Sequence, residues 1–224
     1  MNPYDYFAQK PVSRCALAEW TFESYLNCET KVLPDGCRDF ILKEGDECDS
    51  SWFVSELSHS SYVVQTSGGE KIRGIRLQPG VDIRQAQLDS WLQANQASAL
   101  FGSDQIDEFC IKSDSLTEAL ACLASRKSTI SCVAKELGVS HRSLQRLVRS
   151  GTGQTPFFWF SLARARRAGR CLLEFNSISD TALETGFSDQ AHMNREMKKW
   201  FRRTPKQIRT DEEMMSGLLE SGYG

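Results

Sequence analysis

Two stretches of this 224-residue chain carry hydrogen-bonding side chains at the spacing that puts them on one helical face. Arg142, Gln145, Arg146 and Arg149 fall at i, i+3, i+4 and i+7, opposite an apolar stripe of Leu144, Leu147 and Val148. Ala191, Asn194, Arg195 and Lys198 repeat that spacing, with Gln190 before them, Lys199 after them, and Met193, Met197, Trp200 and Phe201 on the other side. These side chains suit the edges and backbone of duplex DNA. Arg donates two hydrogen bonds to guanine, while Gln and Asn pair bidentately with adenine. Residues early in a groove-reading helix reach bases, and later basic ones meet phosphate. Arg142, Gln145 and Arg146 are therefore assigned to bases and Arg149 to phosphate. Gln190, Asn194 and Arg195 are assigned to bases in the second stretch, with Lys198 and Lys199 on phosphate. His141 is a weaker candidate, and Ala191 offers an apolar contact.

The elements that must hold these faces repeat too. Ile130, Ala134, Gly138 and Ser140 return as Ile178, Ala182, Gly186 and Ser188, an offset of 48. Thr155-Pro156 returns as Thr204-Pro205, an offset of 49, so the second copy holds one extra residue. Each copy reads as a helix, a Gly-containing turn and a basic helix, the sequence form of a helix-turn-helix. Ser140 and Ser188 are placed to cap the second helix of each copy. Between the copies, Pro156 opens a helix expected to run to about residue 175. Twenty residues span roughly 30 Å, against about 34 Å for one turn of DNA. Such a helix would set two recognition helices in successive major grooves. The cleaner apolar faces and denser Arg/Gln stripe of the first copy predict that it supplies more of the base reading.

Charge divides along the same line. Residues 1–125 hold 10 Lys/Arg against 19 Asp/Glu, a net of −9, whereas residues 126–210 hold 17 against 6, a net of +11. Residues 211–224 carry four acidic residues and no basic one. A basic block beside an acidic one points to a nucleic-acid-binding part joined to something that is not. Residues 1–80 look β-rich, with the short runs Trp20–Phe22, Phe40–Leu42, Trp52–Val54 and Tyr62–Val64 between turns, as in a small barrel or sandwich. Residues 82–100 lack Gly and Pro and look helical, with Ile83, Leu88, Trp91 and Leu92 inward. Leu116, Ala119, Leu120 and Leu123 start a further helix from Ser115. The fold class expected is α+β. Its parts are a β-rich region (1–80), a helical linker (81–112), an all-α region with two helix-turn-helix units (113–210) and an acidic flexible tail (211–224).

The remaining chemistry is thin. The N-terminus lacks a signal-peptide pattern, no apolar run approaches the roughly 18 residues of a membrane span, and a cytoplasmic, nucleoid-associated protein is expected. Eight cysteines in such a chain read as free thiols, and none has CxxC spacing, so no zinc ribbon is indicated. Cys132 and Cys171 are expected in the core. Cys37 follows a turn and precedes Arg38, which would favour its thiolate, so a redox or electrophile sensor stands beside the simpler reading of a buried apolar residue. His59 is the one histidine of residues 1–125, too few for a metal-dependent enzyme. No catalytic residue, metal site or cofactor is expected. Arg164, Arg166, Arg167 and Arg170 either approach the DNA backbone or are solvated or cap nearby carboxylates, and Phe157–Phe160 read as core.

Residues 115–210 resemble the DNA-binding domain of AraC-type transcriptional regulators. The resemblance rests on Ile178-Ser-Asp-Thr-Ala-Leu-Glu-Thr-Gly-Phe-Ser-Asp-Gln-Ala-His192, on Arg195 and Thr204-Pro205, and on Arg164, Ala168 and Leu172. Thr181 and Thr185 stand where the family usually has aliphatic residues, and Met193 and Met197 where Phe is common. Val32–Leu42 and Gly74–Gly80 are similar to the cupin-like sensor half of some of these proteins. The resemblance implies a double-stranded DNA partner, a small-molecule effector or a homodimer surface in the N-terminal half, and RNA polymerase as a partner if the chain activates. Two alternatives remain: a regulator whose Cys37 reacts with alkyl or oxidising agents, and an interaction module that binds no DNA.

Overall fold

The computed structural model describes residues 2–45, 50–125, 129–175 and 177–224. The chain forms two compact units. One comprises Met1–Thr30, Cys37–Leu57 and Val63–Ser113; the other comprises Lys31–Gly36, Ser58–Tyr62 and Asp114–Gly224. No helix among the described residues is long and apolar enough to cross a membrane.

The strands of the N-terminal region are β1 (Tyr4–Gln9), β2 (Ala16–Ser24), β3 (Cys28–Val32), β4 (Asp39–Glu44), β5 (Ser51–Val54), β6 (Tyr62–Thr66) and β7 (Lys71–Leu77). Five of them form an antiparallel sheet in the order β1-β2-β7-β4-β5, and β3 pairs with β6. The expected β-rich region is therefore present, as an open five-stranded sheet. Alternation fixes its inner face: Phe40 and Leu42 on β4, with Ile75 and Leu77 on β7, are buried, and Phe40 lies opposite Ile75.

The stretch expected as a helical linker is part of this first core instead. β8 (Asp82–Ile83) pairs with β9 (Cys110–Ile111), and between them α1 (Gln85–Leu92) is the one α-helix among the described residues. Two 3-10 turns, at Ala97–Leu100 and Gln105–Phe109, follow it. Ile83, Leu88, Leu100, Phe101, Ile106, Phe109 and Cys110 join Phe40, Leu42, Ile75 and Leu77 in one apolar cluster. Polar contacts tie this stretch to the sheet. The buried Glu19 carboxylate accepts the Gly102 N–H at 3.0 Å, and the Arg73 guanidinium lies 4.1 Å from the Phe101 ring centre. The absence of Gly and Pro permits a helix without driving one. α1 has no side-chain cap and no charges that complement its dipole, so burial of scattered apolar residues decides the path.

In the second unit the helices are α2 (Asp114–Ala124), α3 (Ile130–Glu136), α4 (His141–Thr152), α5 (Pro156–Cys171), α6 (Ile178–Glu184), α7 (Gln190–Phe201), α8 (Pro205–Arg209) and α9 (Glu212–Leu219). Their starts follow capping chemistry. Thr129, Ser140, Thr155, Ser177, Thr204 and Asp211 each accept a backbone N–H in the first turn of the helix that follows. The second copy departs from expectation at one cap. Asp189, not Ser188, caps α7, accepting the His192 N–H at 2.6 Å. Asp189 is the extra residue of the second copy: before it the offset is 48, after it 49. A hydrogen bond from the His192 backbone holds the Asp189 carboxyl below the usual carboxylate range, as a carboxylate at a helix N-terminus should be.

Four further expectations change. The connecting helix α5 ends at Cys171. Cys132 is exposed, on the outer side of α3, while Cys171 is buried. Phe157 is 53% exposed, whereas Trp159 is fully buried. The acidic tail is packed: α9 buries Met214, Met215 and Leu218, and the Tyr223 hydroxyl donates to the Leu120 carbonyl at 2.7 Å. Its apolar face finds a ready partner in α5, where Gly169 leaves room for Leu218.

Leu218→Ala should cost about 2–5 kcal/mol in denaturant unfolding of the full chain; unchanged stability would mean that the tail contributes no packing. Ser140→Ala should cost about 1 kcal/mol by the same measure, through loss of the α4 cap. Because the Asp189 pKa is lowered on folding, its cap stabilises above the unfolded carboxyl pKa and is lost as pH falls through the lowered value. Asp189→Asn, which keeps a capping oxygen, should reduce the acid sensitivity of the unfolding midpoint.

Candidate nucleic-acid interface

Each helix-turn-helix pair is built the same way. Val133 and Ala134 of α3 and Leu144 and Val148 of α4 are buried; so are Ala182 of α6 and Met193, Met197, Trp200 and Phe201 of α7. Gly138 and Gly186 sit in the turns at φ +66° and +78°, a region that disfavours any residue with a Cβ. Thr181 and Thr185, polar where aliphatic side chains were the comparison, are buried without an unmet hydroxyl. Thr181 Oγ1 donates to the Ser177 carbonyl at 3.1 Å, and Thr185 Oγ1 to the Thr181 carbonyl at 2.6 Å. Back-bonding to the preceding turn thus lets α6 carry them inward.

The opposite faces are open. On α4, His141, Arg142, Gln145, Arg146 and Arg149 are all exposed. On α7, Gln190, Ala191, Arg195, Lys198 and Lys199 are exposed, while Asn194 is half-buried. The two faces are unequal in their local commitments. The Gln190 side-chain oxygen accepts from Ser179 Oγ at 3.1 Å, and Lys199 Nζ lies 5.0 Å from the Trp200 ring centre. The structure therefore brings Arg142, Gln145, Arg146 and Arg149 together on one surface stripe of α4, and Gln190, Asn194, Arg195 and Lys198 along α7. Lys199 lies toward Trp200.

The arginines of α5 are not part of this surface. Arg166 is fully buried and donates to the carbonyls of Pro34 at 3.4 Å and Glu220 at 3.1 Å. Arg164 donates to the Gly186 carbonyl at 3.3 Å and lies 4.5 Å from the Phe187 ring centre, and burial pushes its pKa down. Arg167 donates to the Ala124 carbonyl at 2.9 Å, and Arg170 to the Gly224 carbonyl. Each donates to a backbone carbonyl, and those of Ala124, Gly186 and Glu220 lie at helix ends that leave them without intrahelical partners. Their alignment along α5 was visible in the sequence, but the carbonyls they meet were not.

Among the cysteines, Cys37 is 4% exposed. The neighbour that made it interesting is committed elsewhere: Arg38 donates from Nε to the Ser55 carbonyl at 3.0 Å and pairs with Asp82. One grouping went unread in the sequence. Cys15, Asp107 and Cys110 converge inside the first unit. The Asp107-x-x-Cys110 spacing was legible, but Cys15 lies 95 residues before Cys110 and carried no local signal.

Residues 133–211 match a family described as a helix-turn-helix domain. The bifunctional transcriptional activator/DNA repair enzyme Ada of Escherichia coli K12 is 30% identical over 104 residues, 46% of this chain; the chain spans 29% of that relative's length. Among solved structures, an AraC-type DNA-binding domain-containing regulator from Chromobacterium violaceum is similar at 27% identity and TM-score 0.40, over 48% of this chain and 95% of that one. ToxT from Vibrio cholerae is similar at 11% identity and TM-score 0.43, over 93% of this chain and 98% of that one. Both TM-scores are low, so the assignment rests on the matched residues and on the two exposed, register-equivalent stripes. Residues 133–211 thus match a helix-turn-helix domain, and the region before them holds a five-stranded sheet.

Proposed function

We propose that the chain is a sequence-specific, DNA-binding transcription regulator in which α4 and α7 are the recognition helices. The observation that carries this reading is the equivalence of their exposed faces. Arg142, Gln145, Arg146 and Arg149 correspond, at an offset of 49, to Ala191, Asn194, Arg195 and Lys198. Arg142, Gln145, Arg146, Gln190, Asn194 and Arg195 read bases, and Arg149, Lys198 and Lys199 hold phosphate. With 16 residues, α5 spans only about 24 Å. Its length therefore falls short of the roughly 34 Å between successive major grooves. The spacing must come from how α4 and α7 pack on α5, which touches both. The first copy supplies more of the base reading, because its stripe is wholly exposed whereas Asn194 is half-buried and Gln190 is engaged by Ser179.

In this reading the β-rich unit senses an effector or forms a homodimer, an activator would contact RNA polymerase, and the protein acts in the cytoplasm on the nucleoid. A reaction at Cys37 is disfavoured by its burial and by the commitments of Arg38. No selective modification of Cys37 is expected by mass spectrometry after alkylation.

The test is binding of the full chain to its own promoter DNA against scrambled DNA of the same length, across a range of salt. Equal affinity for the two at physiological salt would sink the proposal. Arg142→Ala and Arg195→Ala should each cost about 1–3 kcal/mol on the preferred sequence, with relaxed preference at the bases they meet and the larger loss for Arg142. Arg149→Ala or Lys198→Ala should weaken binding to all sequences alike and lower the salt slope by about one.

A further inference from the structure

The most chemically specific grouping outside the helices lies within the first unit. The Sγ atoms of Cys15 and Cys110 and a carboxylate oxygen of Asp107 all lie within 4.8 Å of one another. Both cysteines are buried, at 5% and 7% exposure. Cys110 is held in place by its pairing opposite Ile83 in the β8–β9 ladder. Asp107 lies three residues earlier, in the 3-10 turn Gln105–Phe109, where a period of three brings the two side chains to one side. Cys15 arrives on the segment leading into β2, which the same carboxylate anchors. Asp107 Oδ1 accepts from Ser13 Oγ at 2.5 Å and from the Cys15 N–H at 3.1 Å, and Oδ2 accepts from the Arg14 N–H at 3.1 Å.

We propose that Cys15, Asp107 and Cys110 bind a single thiophilic divalent cation, with zinc as the reference ion. Two sulfurs and one carboxylate oxygen form a donor set suited to that chemistry. Bonds of about 2.3 Å to sulfur and 2.0–2.2 Å to oxygen place tetrahedral ligand atoms roughly 3.3–3.8 Å apart. Donors already within 4.8 Å need to close by only about 1 Å to reach that spacing. The donors to Asp107 from Ser13, Arg14 and Cys15 supply the outer shell that orients a ligating carboxylate. Asp107 is the open side of the site: its side chain is 12% exposed, and the Arg14 guanidinium Nε, 3.6 Å away, belongs to a side chain that is 86% exposed.

The charges balance acceptably. Burial pushes both thiols up, so they are protonated before binding, while burial and hydrogen bonding act oppositely on Asp107 and hydrogen bonding wins, leaving it ionised. On binding, two metal–sulfur bonds and one metal–oxygen bond form, each thiol releases its proton to solvent, and nothing is oxidised. The resulting single negative charge is offset by Arg14, which pairs with Asp107, and by the fields of Arg84 at Cys110 and Lys112 at Cys15. The site stands independently of transcription regulation: loss of promoter binding would not bear on it, and failure to bind metal would leave the DNA-reading proposal intact.

The test is anaerobic titration of the reduced full chain with cobalt(II), followed by zinc. A thiolate-to-cobalt charge-transfer band that saturates at one equivalent and disappears with zinc is expected. Cys15→Ser and Cys110→Ser should each abolish it, Asp107→Asn should weaken cobalt binding about 10-fold or more, and Cys132→Ser should leave it unchanged. If the serine variants fail to fold, wild-type protein settles the matter by differential alkylation: zinc should protect Cys15 and Cys110 but not exposed Cys132. No saturable band, a band that persists without Cys15 and Cys110, absence of protection, or a Cys15–Cys110 disulfide with no metal binding would each overturn the proposal.

Discussion

The second unit depends on one constraint: α5 is a packed helix that carries four arginines, of which Arg164 and Arg166 are buried. Guanidinium groups stay charged and cannot be left in an apolar interior without acceptors. The chain meets this by bringing carbonyls from the ends of other segments to them. Ala124 closes α2, Gly186 forms the turn before α7, and Glu220 follows α9. These groups lack intrahelical partners in any case, so one interaction resolves two deficits, with each charged hydrogen bond contributing about 1.5–3 kcal/mol. The small residues Ala163, Ala165, Ala168 and Gly169 let the neighbours approach closely enough for this to happen. Trp159 and Trp200 then fill the space around the N-terminal half of α5. The Trp200 ring N–H donates to Ser161 Oγ, and the Trp159 ring N–H to Thr152 Oγ1.

This arrangement also partitions the positive charge. The basic block of residues 126–210 is not uniformly available to a polyanion. Arg164, Arg166 and Arg167 are spent inside, and Arg209 donates to the Phe175 carbonyl at 2.8 Å. Among the described residues, the exposed cations that remain lie largely on α4 and α7 and beside them. A charge count along the sequence overstates what a DNA backbone meets, while the helical periodicity of α4 and α7 identifies the better-placed part of it.

The duplication is likewise less symmetric than its spacing suggests. One inserted residue, Asp189, replaces a neutral serine cap with a carboxylate and moves the recognition face of α7 to an offset of 49. The shift preserves the register of the apolar and polar stripes because the insertion falls in the turn, before the helix begins. Within the helix, one extra residue would have rotated every later side chain by about 100° and buried the polar face. Thr181 and Thr185 are tolerated for a related reason, since each hydroxyl is satisfied within its own helix.

What the sequence determined by itself was everything governed by local periodicity and capping. The two helix-turn-helix units, their apolar stripes, the exposed faces of Arg142, Gln145, Arg146, Arg149 and Arg195, and the β-prone runs of the first 80 residues follow from neighbours three, four or two positions apart. Long-range contacts decided the rest. Residues 82–111 lack the signals that break a helix, yet they fold into the sheet core because Leu100, Ile106 and Phe109 gain more by burial there than a weakly capped helix would retain. The acidic tail reads as solvent-facing, but Leu218 and Tyr223 find partners on α2 and α5. The arginines of α5 and the trio of Cys15, Asp107 and Cys110 acquire their meaning from groups tens of residues away in sequence. Local hydrogen bonding and amphipathic period are written in short windows of sequence, whereas the acceptors for a buried charge and the neighbours of a buried thiol exist only once distant segments have packed.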